Sequence, residues 1–448
     1  MIDTTLIYAV LIGIAVLLFL ILKLRIQAFV SLLIASIVVG ILAGMNSAEI
    51  ITSIKDGMGN TLGFVAVVVG LGAMFGAILE QSRSAEALAN FLLKKFGTKN
   101  ASWALMITGF FVAIPVFFDV AFIILVPLLY SLQRKTKKSL LLYAIPLLAG
   151  LAITHAFIPP TPGPVAVADI LGANLGWVIL LGFIVGIPTA IFSGPVFAKF
   201  IAKKIQIEAP TLEEIDGDKD QEFPSVWLIL LIIGIPIILI VGNTVLTSPL
   251  FGDYEFPTYV LQSIELLGHP FCALILANLL AWYFLGIRRN FSRKSLAKIT
   301  TKSMEPAGII ILLTGAGGVF KQILVNTGTG EMLATYFADK GLSVFVFAFI
   351  AAVLVRILQG SATVAMITAA GITGPLLSSG TSEIELALLV IIIASGASTM
   401  SHVNDSGFWL VSKYLGLNET QTFKSWTMMT VILSLVGFTT AMLISLFV

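Results

Sequence analysis

An all-α polytopic membrane protein built from two inverted-topology repeats is the fold class that this sequence predicts, and three observations carry it. The 448 residues are 58% hydrophobic and 11% charged, with a mean hydropathy of +1.03. A soluble chain carries roughly a quarter of its residues as charges, so a water-facing surface cannot be built here. Apolar stretches of bilayer length recur from end to end. The two halves of the chain also align with each other.

Composition excludes several other classes. A net charge of +2 offers no basic face for nucleic acid. The single cysteine, Cys272, excludes a disulfide scaffold, a zinc cluster and an iron–sulfur site. No HExxH, GxSxG, Walker A or GxGxxG context occurs, and Gly70 and Gly72 read as helix packing inside an apolar span. No cofactor and no metal are expected. Met1–Thr5 carries Asp3 and no basic residue, which argues against a cleaved signal peptide.

The apolar stretches fall at about 5–22, 28–44, 60–79, 101–130, 140–158, 175–198, 225–246, 267–286, 304–325, 342–378, 384–401 and 426–448. Two of them, 101–130 and 342–378, are too long for one crossing and are broken at Pro115 and at Gln359-Gly360. Each reads as two spans or as a re-entrant hairpin. Basic residues then set orientation, because basic loops stay cytoplasmic. Of the 26 lysines and arginines, 22 lie in the loops 23–27, 80–100, 131–139, 199–224, 287–303 and 413–424. Both ends of 101–130 are therefore cytoplasmic, and both ends of 342–378 lie outside. Ten full crossings and two hairpins put both termini outside. Glu80 reads as a solvated charge at the start of a cytoplasmic loop, and Lys321 as a side chain snorkelling to the outer interface.

A single hydrophilic segment divides the chain. The linker at 205–224, with Glu208, Glu213, Glu214, Asp216, Asp218, Asp220 and Glu222, separates membrane halves at 1–204 and 225–448. A shift of 245 pairs Gly72 with Gly317, Phe75 with Phe320, Glu86 with Glu331 and Lys95 with Lys340. A shift of 244 pairs Gly163 with Gly407, Leu171 with Leu415, Gly172 with Gly416 and Asn174 with Asn418. The repeats cover about 25–200 and about 270–445. Loop 80–100 is cytoplasmic while its partner near 325–342 lies outside, so the repeats are inverted, as in secondary transporters.

In that architecture the substrate site sits near the midplane, where helices of both repeats are interrupted. Four interruptions pair up here: Pro115–Asp119 with Gln359–Thr363, and Pro159–Pro164 with Val403–Phe408. Four prolines within 159–164 cannot continue a helix. Asp119, in IPVFFDVAF, costs about 2.5–3.5 kcal/mol at membrane depth unless it meets a partner, a proton or a cavity. It is read as the proton carrier, against a neutral structural role. His155 and His402 flank two breaks, and His155 is a second candidate for the proton or the substrate. Asn404 and Asp405 suit hydroxyl groups, or cap the helix that follows. Thr154 should line the same cavity. Ser361 and Thr363 bind substrate oxygens or bond back to their own helix. Arg356 sits inside an apolar stretch and cannot shed its charge. It must meet an anion, either Asp119 or Asp405 of the chain or the carboxylate of a substrate.

The segments THAFIPPTPGPVAVA, RILQGSATVAMITAAG and SHVNDSGFWL resemble the signatures of the gluconate:proton symporter family, the gluconate permeases of the ion transporter superfamily. The resemblance covers essentially the whole chain. It implies proton-coupled uptake of sugar acids across a bacterial inner membrane. It also implies paired re-entrant hairpins, a transport domain that moves against a scaffold in an elevator-like way, and a homodimer. Two positions depart from the family pattern: Asp119 stands where Glu is common, and Thr161 stands in place of the histidine of PPHPGP. The relative that carries D-serine differs where this chain reads SHVNDSG, which favours a sugar acid. The partners expected are a small organic anion, protons and the lipid bilayer, with no nucleic acid. The alternatives are another organic anion such as glycerate or a hexuronate, with sodium coupling through Asp119 or Asp405, and an intramembrane enzyme. An enzyme would have no reason to show inverted repeats.

The basic-loop count makes orientation testable. A cysteine label replacing Arg134 should react only from the cytoplasm, and one replacing Asp253 only from outside. Labelling at position 134 by an impermeant reagent on intact cells overturns the orientation.

Overall fold

The computed structural model describes residues 4–210, 222–247, 257–328, 343–377, 380–403 and 405–447. Among the described residues there are helices and no strand. The first half runs α1 (Thr4–Leu22), α2 (Ala28–Leu42), α3 (Ser47–Gln81), α4 (Ser84–Phe96), α5 (Ala101–Val112), α6 (Phe118–Thr136), α7 (Leu141–Phe157), α8 (Pro162–Leu171) and α9 (Leu175–Lys204). The second runs α10 (Val226–Leu246), α11 (Thr258–Gly268), α12 (Pro270–Arg289), α13 (Arg293–Asn326), α14 (Val344–Gln359), α15 (Ala362–Thr373), α16 (Glu383–Ala397), α17 (Ser406–Leu415) and α18 (Glu419–Ile444).

Seven described segments are long and apolar enough to cross a membrane: α3, Leu141–Leu171 (α7 with α8), α9, α10, α12, α13 and α18. This is fewer than the ten full crossings expected. Two of the three that are missing, α2 and α16, are short: at 15 residues each they reach about 22 Å at 1.5 Å per residue, less than a core of about 30 Å. The same arithmetic bears on the two broken stretches. α5 and α15 have 12 residues each, about 18 Å, which suits hairpins better than pairs of full spans. α15 folds back on α14, while α5 and α6 both lie against α7.

Local sequence explains where the helices begin and end. α3 starts thirteen residues before its apolar stretch because Asn46 and Glu49 form a reciprocal capping box. The expected loop 80–100 is largely helix α4, whose apolar side buries Ala85, Leu88 and Ala89 while Lys94 and Lys95 end it. α8 and α17 are ten residues each and both stop at a left-handed glycine, Gly172 at φ 76° and Gly416 at φ 65°. The helix after each is capped by an asparagine, Asn174 and Asn418. α6 and α15 likewise begin 244 residues apart, at Phe118 and Ala362. Helix boundaries thus recur at the offset found in the sequence.

The linker is only partly a solvated connector. Its first residues are tied to the α6–α7 turn, where the Ser139 hydroxyl donates to the Ile205 carbonyl at 2.8 Å and the Leu140 amide donates to Ile207. The Ala209 amide donates to the Gln133 side chain at 3.2 Å. Glu213, Glu214, Asp216, Asp218 and Asp220, together with Glu331, Lys340, Asp253 and Asn404, lie outside the described residues. Glu80 sits half-buried in the last turn of α3, so it does not begin a loop. Lys321 is half-buried on α13 beside Gly374, where an added Cβ would lie 3.7 Å from its Cδ.

Two long helices form the frame. α3 and α13 lie against each other along much of their length, and glycines allow it. A Cβ at Gly57 would approach the Val319 Cα to 2.7 Å, and one at Gly318 would collide with the Thr61 hydroxyl. α7 and α8 form the centre, with 83% of their apolar window buried against 33% for α10. α16 is equally enclosed, with every residue from Ala387 to Ala397 buried. The frame helix α3 also touches the breaks, through Gly72 against Pro160 and Gly76 against Pro115. Gly76 has no room for a side chain, because a Cβ there would strike the Pro115 carbonyl, which is backbone and cannot rotate away. Gly76→Ala should therefore lose about 1–3 kcal/mol through overpacking. Gly63→Ala, with nothing within 4 Å of the new methyl, should be neutral. Thermal unfolding of both variants in detergent checks this, and equal stability would remove the packing constraint.

Candidate functional site

The four interruptions meet at a cavity of about 430 Å³. Four helices begin at its wall. Phe118 and Asp119 open α6, Gly163 lies in the first turn of α8, Ala362 and Thr363 open α15, and Ser406 and Gly407 open α17. The first N–H groups of a helix have no partner inside it, and the helix dipole puts partial positive charge there. A concave wall built from four such ends favours an anion. Asp119 and Thr363 hold equivalent places, each the second residue of its helix.

The ends are where they are for chemical reasons. Pro115 ends α5, and Pro159 and Pro160 separate α7 from α8, while Pro162 and Pro164 fall in the first turn of α8, where a missing N–H costs nothing. Gly360, at φ 89°, ends α14 and turns the chain into α15, a conformation glycine adopts without strain. Ser361 caps α15, accepting from the Val364 amide at 3.3 Å. Asp405 caps α17, accepting from the Gly407 amide at 3.0 Å.

Arg356 does not stand free for a ligand. Its guanidinium forms an ion pair with Asp405, with side-chain exposures of 5% and 13%. Its Nε donates to the Thr399 carbonyl at 3.3 Å and an Nη donates to the Gly360 carbonyl. Asp405 is held in turn by the Ser401 hydroxyl. Ser401 accepts from the Trp426 indole at 2.6 Å and its amide donates to Thr430 at 3.1 Å. Of the three anions weighed for Arg356, Asp405 occupies it here. The ion pair ties the end of α14 to the start of α17 and still lines the cavity.

The other expected residues divide. Asp119 lines the cavity and is exposed rather than buried, and its carboxylate has no hydrogen bond or ion pair among the described residues. It sits at the mouth of the α6 dipole, so it reaches the cavity instead of packing material. His155 lines the cavity, near Phe117 with ring centroids 6.2 Å apart, and its Nδ1 is buried without a partner. Ser361 and Thr363 line it too, and the Thr363 hydroxyl is open. Thr154 does not line it; the side chain is fully buried one residue behind, its hydroxyl unpartnered. Asn404 falls outside the described residues. The His402 ring bonds the Ile357 carbonyl at 2.9 Å, away from the lining.

Sequence reasoning missed Trp426, Thr430, Gln359 and Ser406, all of which line the cavity. Trp426 belongs to a π turn, Phe423–Thr427, in α18. A tryptophan at the start of an apolar span reads as an interface anchor, so nothing local pointed inward. Formal charge at the wall comes to Asp119, Asp405 and Arg356, a net of one negative charge with His155 neutral.

Comparison with known proteins supplies independent findings. Residues 5–447 match the model of the GntP family permeases. The chain is 38% identical to a gluconate permease of Bacillus subtilis over 445 residues, covering 97% of this chain and 98% of that one. It is 39% identical to a low-affinity gluconate transporter of Escherichia coli over 426 residues, covering 95% of each. In fold it is similar to the Alcanivorax borkumensis YdaH transporter, whose crystal structure shows an unusual topology, with a TM-score of 0.64, 14% identity and 90% of each chain covered.

A buried pair with one member removed leaves an uncompensated charge. Arg356→Ala should destabilise the protein by about 3–5 kcal/mol, and Arg356→Ala with Asp405→Ala should recover part of that. Denaturant unfolding in detergent measures both. A single variant as stable as the parent would show that the pair carries no structural burden.

Proposed function

We infer the function from one premise, that the chain belongs to the GntP permease family. It is a multi-pass membrane permease. We propose that it imports gluconate, or a similar small hydroxylated carboxylate, together with protons across a bacterial inner membrane. The two halves are read as inverted repeats, with α5–α6 and α14–α15 as the re-entrant hairpins and a homodimer as the assembly. The names of the relatives support the cargo.

The observation that carries the reading is the convergence of four helix N-termini on one cavity. Their partial positive charge, and the first-turn N–H groups that prolines and caps leave open, suit a carboxylate. The hydroxyls of Thr363 and Ser406 and the amide of Gln359 suit a polyol chain. The volume of about 430 Å³ accommodates a molecule of that size.

The charge inventory supports coupling to a cation. The cavity wall is already net negative, so a second negative charge enters at a Coulomb cost that is steep in a low-dielectric site. A proton that enters with the anion removes that cost. Asp119 is the open carboxylate and the group proposed to hold it; His155, with an unpartnered ring nitrogen, is the next candidate. In this scheme Asp119 takes a proton from the outer solution, the cavity closes around acid and substrate, and both leave on the cytoplasmic side.

Uptake of labelled gluconate, glycerate and a hexuronate into proteoliposomes, with an imposed pH or sodium gradient, tests the whole reading. Gluconate accumulation driven by the pH gradient alone is the expected result. Asp119→Asn should lose uphill accumulation and retain exchange of gluconate across the membrane. Accumulation by Asp119→Asn equal to the parent would move the proton to another group, and accumulation driven by sodium alone would replace the proton.

A further inference from the structure

We propose that the ion pair between Arg356 and Asp405 is exchangeable: the substrate's carboxylate takes the place of Asp405 on Arg356, and the released Asp405 forms with Asp119 the acid pair that holds the proton. This rests on the reading of the cargo as a sugar acid and adds how the anion and the proton are made to travel together.

The geometry around the pair is that of two groups able to part. Arg356 is held by two neutral carbonyls, Thr399 at its Nε and Gly360 at one Nη. Neither bond depends on Asp405. On the other side, Asp405 keeps the Gly407 amide at 3.0 Å, the Ser401 hydroxyl and its position at the start of α17. A carboxylate capping a helix remains stabilised without a cation. Asp405 is also the one charged partner of Arg356 among the described residues. Both residues line the cavity, so an incoming carboxylate reaches the guanidinium without entering packed protein. The guanidinium fork favours a carboxylate over a hydroxyl.

Exchange changes the field at Asp119. While paired, Arg356 cancels Asp405; once the substrate holds Arg356, Asp405 is a bare negative charge on the wall of the cavity that Asp119 also lines. Two carboxylates on the wall of one cavity then share a proton, as like charges in one site do. The balance is simple: one anion and one proton are added, and the net formal charge of the cavity is unchanged. No covalent bond forms or breaks apart from the transfer of the proton to a carboxylate oxygen. Linkage makes the effect reciprocal, so the proton also tightens the substrate. The other titratable groups nearby are His155 on α7, which lines the cavity, and His402, whose ring is bonded to Ile357. Lys413 on α17 and Glu419 and Lys424 on α18 are exposed and do not line it.

Calorimetric titration of the full-length protein with gluconate and with its neutral amide, across pH, tests the exchange. In wild type, gluconate affinity should fall toward about tenfold per pH unit on the alkaline side, the slope of one proton per anion, while binding of the amide stays flat. Equal slopes for the two ligands overturn the proposal. Asp405→Asn keeps a helix cap and removes the competitor, so at alkaline pH it should bind gluconate about tenfold or more tightly than wild type, and its preference for gluconate over the amide should rise. Gluconate should also raise its melting temperature more than it raises that of wild type. Asp405→Ser, another good cap, repeats the measurement where the asparagine variant does not fold. A folded variant that binds gluconate no more tightly than wild type overturns the exchange alone. Wild type that binds no gluconate at any pH overturns the exchange and the function together.

Discussion

A helix that stops inside a membrane leaves N–H groups with no water to bond, and this constraint organises the protein. Each such end costs free energy unless protein or a wet cavity meets it. Here four ends are placed beside one another, so that one cavity serves all of them. The rest of the fold can be understood as what keeps that arrangement from collapsing into continuous helices. Prolines at 115, 159 and 160 and glycine at 360 stop the chain. Serine 361 and aspartate 405 satisfy part of each new terminus. What they leave unsatisfied is the surface proposed to bind the anion.

Holding broken pieces in register needs rigid neighbours, and small residues supply them. The frame of α3 and α13 is joined through Gly57, Gly315 and Gly318, where added side chains would collide. Two of the breaks rest on α3, through Gly72 and Gly76, while Gly317 of α13 packs on Ile367 of α15 and Ile170 of α8. In hydrocarbon there is no hydrophobic drive for helices to associate, so close backbone approach carries the association. A glycine in α3 therefore helps to place Pro115 and, through it, Asp119. Sequence, packing and site are linked along that one line.

Much of this was legible in the residues, and the exceptions are instructive. Breaks announce themselves locally, through the prolines of PPTPGP and the polar run SHVNDSG, and the four predicted interruptions are the four that surround the cavity. The capping box at Asn46 and Glu49 was present in the sequence and marks the true start of α3. Helix α4 hid behind its lysines, because a short amphipathic helix and a basic loop have similar composition. What a single sequence does not contain is which distant groups meet. Arg356 and Asp405 are 49 residues apart, and their pairing depends on α14 and α17 being brought end to end. Trp426 and Thr430 reach the site from α18, the first within a π turn and the second one turn beyond it, a departure from regular helix that the sequence pattern does not signal. Thr154 shows the opposite error: one residue along a helix turns a side chain by about 100°, enough to move it from the wall to the packed interior.

Arg356 is the place where the two kinds of information meet. Burial alone dictated that it find an anion, and it did, within its own chain. Had Asp405 been the sole requirement, a well-packed apolar pair would have served stability as well, since buried ion pairs seldom stabilise a fold against such replacements. The pair instead sits at the wall of a cavity shaped for anions, with each member separately secured by neutral hydrogen bonds. A contact of that kind has little structural reason to be ionic and a clear chemical one. As proposed, it keeps a cation at the site, neutralised while empty, and makes its release from Asp405 conditional on another carboxylate. In the proposed exchange the negative charge so released is what a proton cancels, so the cost of burying one anion becomes the reason for a proton to travel with it.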